Sequence, residues 1–427
     1  MKEIEELSPV QQMLAFSFLA DLDEANILID KQKAQDNAFN TLTNALADKE
    51  IKAKMGGWTC IHKPWITYNL GQERNLTAVF QSEDGKQIVV AVAGTNFINR
   101  YDWFTEDVET ETLLAWGKDL AINQPGSGSD GCIATGTAIA LQTTWNEKDV
   151  DDKKGQTLVE WLSSYLSSTA FAADSFTLSV TGHSLGGAIA PVLAQALSDN
   201  QSAWCPSDKT VKIVTYPFAG PTPGDEAFQG YMEGGPVEII STYNKFDVVP
   251  HAWELSMIDE ISGLFDGALL NSENYEFGHI VSATVNWVRN KAIQASQSGH
   301  KYLRWNNENV FGEAVQPLSE EEITRVGYLT AAIEAHLKLQ ISDRARKGLY
   351  KVCGLDENSK VDDLHGYLIY FSGFLSVLGR EHITEYQKLV LADADFVTAL
   401  NKYQKMGATD LPAGLAVLNQ LFIDISA

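Results

Sequence analysis

An α/β architecture, with a mostly parallel sheet and helices packed on its faces, is what this sequence predicts. Three stretches carry the prediction. Lys86–Ala93 reads as a strand whose Ile88–Ala93 portion is apolar throughout, as a strand covered on both faces must be. Phe176–Thr181 alternates apolar and polar residues, then passes through Gly182–Gly187 directly into a helix over Ala188–Leu197. Two further strands are expected at Val211–Tyr216 and Val237–Tyr243. Strands alternating with helices call for parallel pairing with helices covering the sheet.

In chain order, Ser8, Pro9 and Gln11 form a capping-box start for a helical stretch running with interruptions from Val10 to about Met55. Gly56-Gly57 ends it. Trp58–Tyr68 contains Pro64 and so is an edge strand at best. Asn75–Gln81 pairs with Lys86–Ala93 across the turn Ser82–Gly85. Phe97–Trp116 mixes aromatic and acidic residues, which suits either a flap over an apolar pocket or an ordinary surface helix. Helices are expected at Gly136–Trp145, Thr157–Phe171 and Ser282–Ser298. Ser319 and Glu322 then open a purely helical region, with further helices at Leu364–Leu378, His382–Ala392, Asp395–Tyr403 and Leu411–Ile423. The expected division is an N-terminal helical segment over 1–57, an α/β domain over 58–312 and a helical C-terminal annex over 313–427, the last without obvious chemistry.

The 427 residues suffice for one large core plus additions. A net charge of −24 argues against nucleic acid or anionic membranes as electrostatic partners, but not against neutral lipid met through an apolar patch. Cys60, Cys132, Cys205 and Cys353 are scattered without a Cys-x-x-Cys pair, so neither a zinc site nor a disulfide framework is expected. No apolar run reaches transmembrane length. The N-terminus is acidic and lacks the basic and apolar regions of a secretory signal, so a cytoplasmic location is the default expectation, with signal-independent export as the alternative.

Chemistry is expected at Gly182-His183-Ser184-Leu185-Gly186. A serine on a sharp strand-to-helix turn, with glycines two before and two after it, has the context of a nucleophile elbow. The helix starting there turns its positive end toward an oxyanion. Such a serine needs a base and a carboxylate that orients it, in the chain order Ser, acid, His. Asp247, at the end of a predicted strand, is the candidate acid. Of the eight histidines, His62 and His183 precede the serine, and His251 lies only four residues beyond Asp247. His336, His365 and His382 fall on helical stripes of the annex, where a surface or satisfied-core role is expected. His279 and His300 remain.

Val180–Ala190 (VTGHSLGGAIA) resembles the elbow of the class 3, or fungal-type, lipases. Gln87–Thr95, Asp102-Trp103 with Asp107, Thr215–Phe228 and Ile239–His251 resemble further motifs of that family, in the same order. The resemblance covers roughly Trp58–Trp305 and implies an α/β-hydrolase fold. It also implies Ser184 as nucleophile, Asp247 as acid and His300 as base, with His279 as the rival base. Thr95 and the backbone N–H of Leu185 would form the oxyanion hole, and Phe97–Trp116 would be a lid. No metal or cofactor is implied. Ala93 stands where many relatives have arginine, and the annex has no counterpart in compact fungal enzymes.

The expected activity is therefore serine carboxylic-ester hydrolysis through an acyl-enzyme. Acylglycerols, met at a lipid–water interface, are the first candidate substrates. A phospholipase A1-type or short-chain esterase is the alternative within the class. A catalytically silent lipid-binding module is the alternative outside it.

Overall fold

The computed structural model describes residues 6–21, 31–69, 72–94, 110, 112–120, 122, 130–150, 155–265, 278–339, 342–356, 359–403 and 421–422. Three helices come first: α1 (Pro9–Ala20), α2 (Lys31–Ala47) and α3 (Lys49–Met55). The capping box at Ser8 forms as expected, with Ser8 and Gln11 satisfying each other's backbone N–H groups.

Next come β1 (Trp58–Cys60), β2 (Trp65–Asn69), β3 (Gln72–Ser82) and β4 (Gln87–Val92), then a small ribbon of β5 (Leu113–Ala115) and β6 (Cys132–Ala134). Two helices, α4 (Thr135–Asn146) and α5 (Leu158–Leu166), lead to β7 (Ser175–His183), α6 (Leu185–Asp199) and β8 (Thr210–Phe218). The chain continues through α7 (Glu226–Glu233), β9 (Glu238–Ile239), β10 (Thr242–Asn244), α8 (His279–Gln297) and β11 (Asn309–Phe311).

The main sheet has nine strands among the described residues, in the order β1-β3-β4-β7-β8-β10-β11, with β2 also on β3 and β9 also on β8. From β4 through β11 the pairing is parallel, whereas β1, β2 and β3 add an antiparallel flank. Pro64 separates β1 from β2, so the stretch with a proline supplies two short edge strands. This is the mostly parallel sheet that the apolar run in β4 required, in an α/β-hydrolase fold.

Because side chains alternate along a strand, the residues of β4 divide between two cores. Ile88, Val90 and Val92 face the core that holds α4, α5 and α6. Val89, Ala91 and Ala93 face the other, with Phe16, Phe18 and Leu19 of α1. The N-terminal helix is thus one covering layer of the sheet, and Thr181 of β7 donates from its hydroxyl to the Met13 carbonyl (3.0 Å).

After the sheet come α9 (Glu320–Leu339), α10 (Asp343–Val352) and α11 (His365–Gly379). Two π-helical stretches follow, Arg380–Thr384 and Tyr386–Leu391, and then α12 (Ala394–Asn401). The annex divides its allegiance. Leu368 and Phe371 of α11 join the α6 side, whereas Ile383, Tyr386 and Phe396 pack on the α1 side. The helix expected at His382–Ala392 is π-helical, a form frequent at functional positions. The helix expected at Leu411–Ile423 lies outside the described residues except for Leu421 and Phe422.

Candidate active site

The elbow comes from β7 running into α6 with a single residue between them. That residue, Ser184, has φ 61° and ψ −123°, a conformation few non-glycine residues adopt. Tight backbone contacts hold it there. A β-carbon on Gly182 would lie 2.2 Å from the Gly186 carbonyl oxygen, and one on Gly186 would lie 2.3 Å from that of Val92. Ser184 N–H donates to the Phe218 carbonyl (2.9 Å), anchoring the turn to β8. Ala219, the next residue there, also has a positive φ (52°). Replacing Gly182 by alanine is therefore expected to cost about 2–4 kcal/mol, because backbone, not a movable side chain, occupies the space. Urea unfolding of G182A measures it.

Leu185 is the first residue of α6, and the N–H groups of a helix's first turn have no partner within the helix. Gly94 approaches from the end of β4, where a β-carbon would lie 3.4 Å from Ser184 Cβ. Its N–H donates to Asp21, just past α1 (2.5 Å). Thr95, the expected oxyanion residue, lies outside the described residues, as does 97–109 of the expected lid. The end of that lid stretch is described and differs from expectation. Leu113–Ala115 is strand β5, and Trp116 is buried, with its indole N–H on Asp199 (2.8 Å) and its ring against Phe228.

Asp247 sits in the turn after β10, fully buried. Its Oδ1 accepts from Val249 N–H (3.0 Å). Its Oδ2 accepts from two groups of the annex: His382 Nδ1–H (2.6 Å) and the Tyr386 hydroxyl (3.1 Å). His382 is likewise fully buried. One turn of helix apart, His382 and Tyr386 reach the same carboxylate oxygen.

The expected base is elsewhere. His300 donates from Nδ1 to Asp225 Oδ2 (2.9 Å), not to Asp247. His279 starts α8, with its ring against Tyr367. His251 donates from Nδ1 to the backbone carbonyl of Asp247 (2.7 Å), and burial pushes its pKa below the ordinary 6.5. The imidazole on Asp247 is the one that sequence reasoning assigned to a core role. Its only sequence signal was that it follows Ser184 and Asp247 in the chain.

Several contacts fix His382 to the elbow. His183, beside Ser184, donates from Nε2 to the His382 carbonyl (2.8 Å), and the two rings lie 4.6 Å apart. Asn244, at the end of β10, donates from Nδ2 to the Glu381 carbonyl (3.0 Å) and carboxylate (2.9 Å). The Asn244 N–H donates to the Tyr386 oxygen (2.9 Å). Burial, and then the negative Asp247, push the tyrosine pKa well above 10, so the hydroxyl stays a donor. Removing it in Tyr386→Phe leaves the buried Asn244 N–H unmatched and takes one donor from Asp247. A loss of about 1–3 kcal/mol in urea stability is the expected result.

Below the site, the buried Arg304 donates from Nη1 to the carbonyls of Gly220 (2.9 Å) and Pro250 (2.7 Å), while Glu308 takes Nε and Nη2. The loops after β8 and after β10 are thereby tied together.

Residues 89–256, which hold β4, the elbow and Asp247, match the profile of the lipase (class 3) family. That segment is similar to a class 3 lipase domain. The match supports a carboxylic-ester hydrolase of the lipase and esterase type. No curated protein matches the chain in sequence. Among solved structures, it is similar to M37 lipase at 19% identity and a TM-score of 0.57, covering 90% of this chain and 99% of that one. A triacylglycerol lipase from Penicillium expansum matches at 18% identity and a TM-score of 0.35, over 58% of this chain and 74% of that one. The Rhizomucor miehei lipase propeptide complex matches at 19% identity and a TM-score of 0.34, over 57% and 62% respectively. The likeness to M37 lipase is one of fold, and it extends well beyond the segment that matches the family profile.

Among the described residues, no helix is long and apolar enough to cross a membrane.

Proposed function

We propose that this lipase domain hydrolyses acylglycerol esters through Ser184, His382 and Asp247, with the annex supplying the base. One observation carries the reading: a fully buried imidazole bonded through Nδ1 to a fully buried carboxylate (2.6 Å), with its backbone held by the histidine next to the elbow serine. With Nδ1–H given to Asp247, Nε2 is the nitrogen that handles the reacting proton.

The Ser184 hydroxyl attacks the ester carbonyl while His382 Nε2 takes its proton. The oxyanion forms against the Leu185 N–H and the group supplied by Thr95, at the positive end of α6. His382 then gives the proton to the departing alcohol, leaving an acyl-enzyme. Water, deprotonated by the same nitrogen, releases the acid. The aromatic side chains of 97–104 in the sequence, an apolar complement to acyl chains, favour lipid esters over short soluble ones.

A fluorophosphonate probe tests the nucleophile: mass spectrometry of the labelled protein is expected to place the adduct on Ser184. A tributyrin assay across the solubility limit tests the substrate class, with a rate jump expected where droplets form. Labelling elsewhere refutes the serine assignment. Smooth saturation below the limit, with no turnover of emulsified long-chain glycerides, refutes the acylglycerol assignment.

A further inference from the structure

His300 meets Asp225 and Cys132, and this cluster has a use of its own. The Cys132 thiol, an Asp225 carboxylate oxygen and a His300 ring nitrogen all lie within 4.8 Å of one another. They come from three separate segments: β6, the residue capping α7 and the turn after α8. The geometry points to a structural divalent-metal site here, with Zn²⁺ as the ion its donors suit. It shares no residue with Ser184, His382 and Asp247 and does not rest on their proposed roles.

Two of the three donors are fixed in advance. Asp225 N–H donates to the Cys132 carbonyl (2.9 Å), and Cys132 N–H donates to Asp225 Oδ1 (3.0 Å). Phe228 N–H, in the first turn of α7, also donates to Oδ1 (2.9 Å). With Oδ1 doubly occupied, Oδ2 is the oxygen turned toward the imidazole. The surroundings hold the backbone close, since a β-carbon on Gly224 would lie 2.6 Å from the Cys132 carbonyl oxygen. Outer contacts that orient a ligating carboxylate in this way are what metal sites use to fix their ligands.

The donor set is also selective. One sulfur, one imidazole nitrogen and one carboxylate oxygen form a mixed set that suits Zn²⁺ better than Mg²⁺ or Ca²⁺, which prefer oxygen alone. A hydrogen-bonded His–Asp pair has no need of a buried thiol at its side. The thiol's own hydrogen-bond contact, to the Asp130 carbonyl, is long at 3.9 Å. His300 is about a third exposed, which gives the ion a route in and leaves room for water as a fourth ligand. Binding replaces the thiol proton, which goes to solvent, while the ring passes to its Nε2–H tautomer with no net loss of a proton, freeing Nδ1 to ligate the ion. The ion would then join the β5–β6 ribbon, the start of α7 and the 299–302 turn, whose Tyr302 hydroxyl donates to the Thr110 carbonyl (2.9 Å).

The test uses the full chain, stripped with chelator and titrated with Zn²⁺ against a chromophoric competitor. Co²⁺ is the spectroscopic probe, since a thiolate ligand adds a near-ultraviolet charge-transfer band. One equivalent of Zn²⁺ with a raised melting temperature, and a Co²⁺–thiolate band absent from Cys132→Ser, are expected. His300→Ala, at the most exposed donor, should weaken binding about tenfold or more while keeping the far-ultraviolet circular dichroism of the parent. Failure of the parent protein to compete for Zn²⁺ overturns the site. So does a folded His300→Ala that binds Zn²⁺ and shows the Co²⁺ band as the parent does, whatever becomes of Cys132→Ser.

Discussion

Replacing His382 by alanine is expected to lower kcat on p-nitrophenyl esters by roughly 10⁴-fold or more, with KM little changed. The variant keeps Ser184, the elbow and the start of α6, but nothing remains on Asp247 to take the serine proton. His300→Ala makes the comparison decisive. That substitution breaks the Asp225 pair, so its main expected effect is a lower melting temperature, with a far smaller loss of kcat. Equal losses in the two variants, or a larger one at His300, would refute His382 as the base. Because His382 is buried beside His183 and Tyr386, each variant is first matched to the parent by circular dichroism, and kcat is read on the folded fraction.

The elements that position this chemistry were legible to unequal degrees, for physical reasons. The apolar run of β4 and the glycine spacing around Ser184 leave few structural options. A strand covered on both faces must be continuously apolar, and a turn with backbone within 2.3 Å of a would-be β-carbon must have glycine there. The proposed acid, Asp247, was readable as a candidate because it follows a strand on the parallel side of the sheet, where chemistry gathers beyond the carboxyl ends. His382 was not. Helical periodicity says which face of a helix is covered, not what covers it, so a histidine buried on a carboxylate looks like one buried on leucines. Strand β11 was missed for a related reason: it is three residues long, with Val310 half-exposed, and has no alternation to detect. The metal cluster has a single cysteine, so a search for paired cysteines passes over it.

Asp247→Asn should lower kcat by about 10⁴-fold while leaving the fold close to intact. The amide has nearly the same shape, and its oxygen can still accept from Val249 N–H, though the Tyr386 hydroxyl, which used Oδ2, then loses its acceptor. If it does so at the Oδ1 position, the amide nitrogen faces His382 Nδ1, donor against donor. The ring then turns to the Nε2–H tautomer so that Nδ1 can accept, and the nitrogen that should receive the serine proton already carries one. If the amide flips, its oxygen keeps the His382 and Tyr386 hydrogen bonds while Val249 N–H loses its acceptor, and stability falls by about 1–3 kcal/mol. Either way the negative charge that stabilises the imidazolium is gone. High pH should restore part of the activity, because hydroxide can replace the missing base, and a pH–rate profile rising into the alkaline range is the signature. A profile identical in shape to the parent's, with kcat within tenfold, would remove Asp247 from the proposed relay.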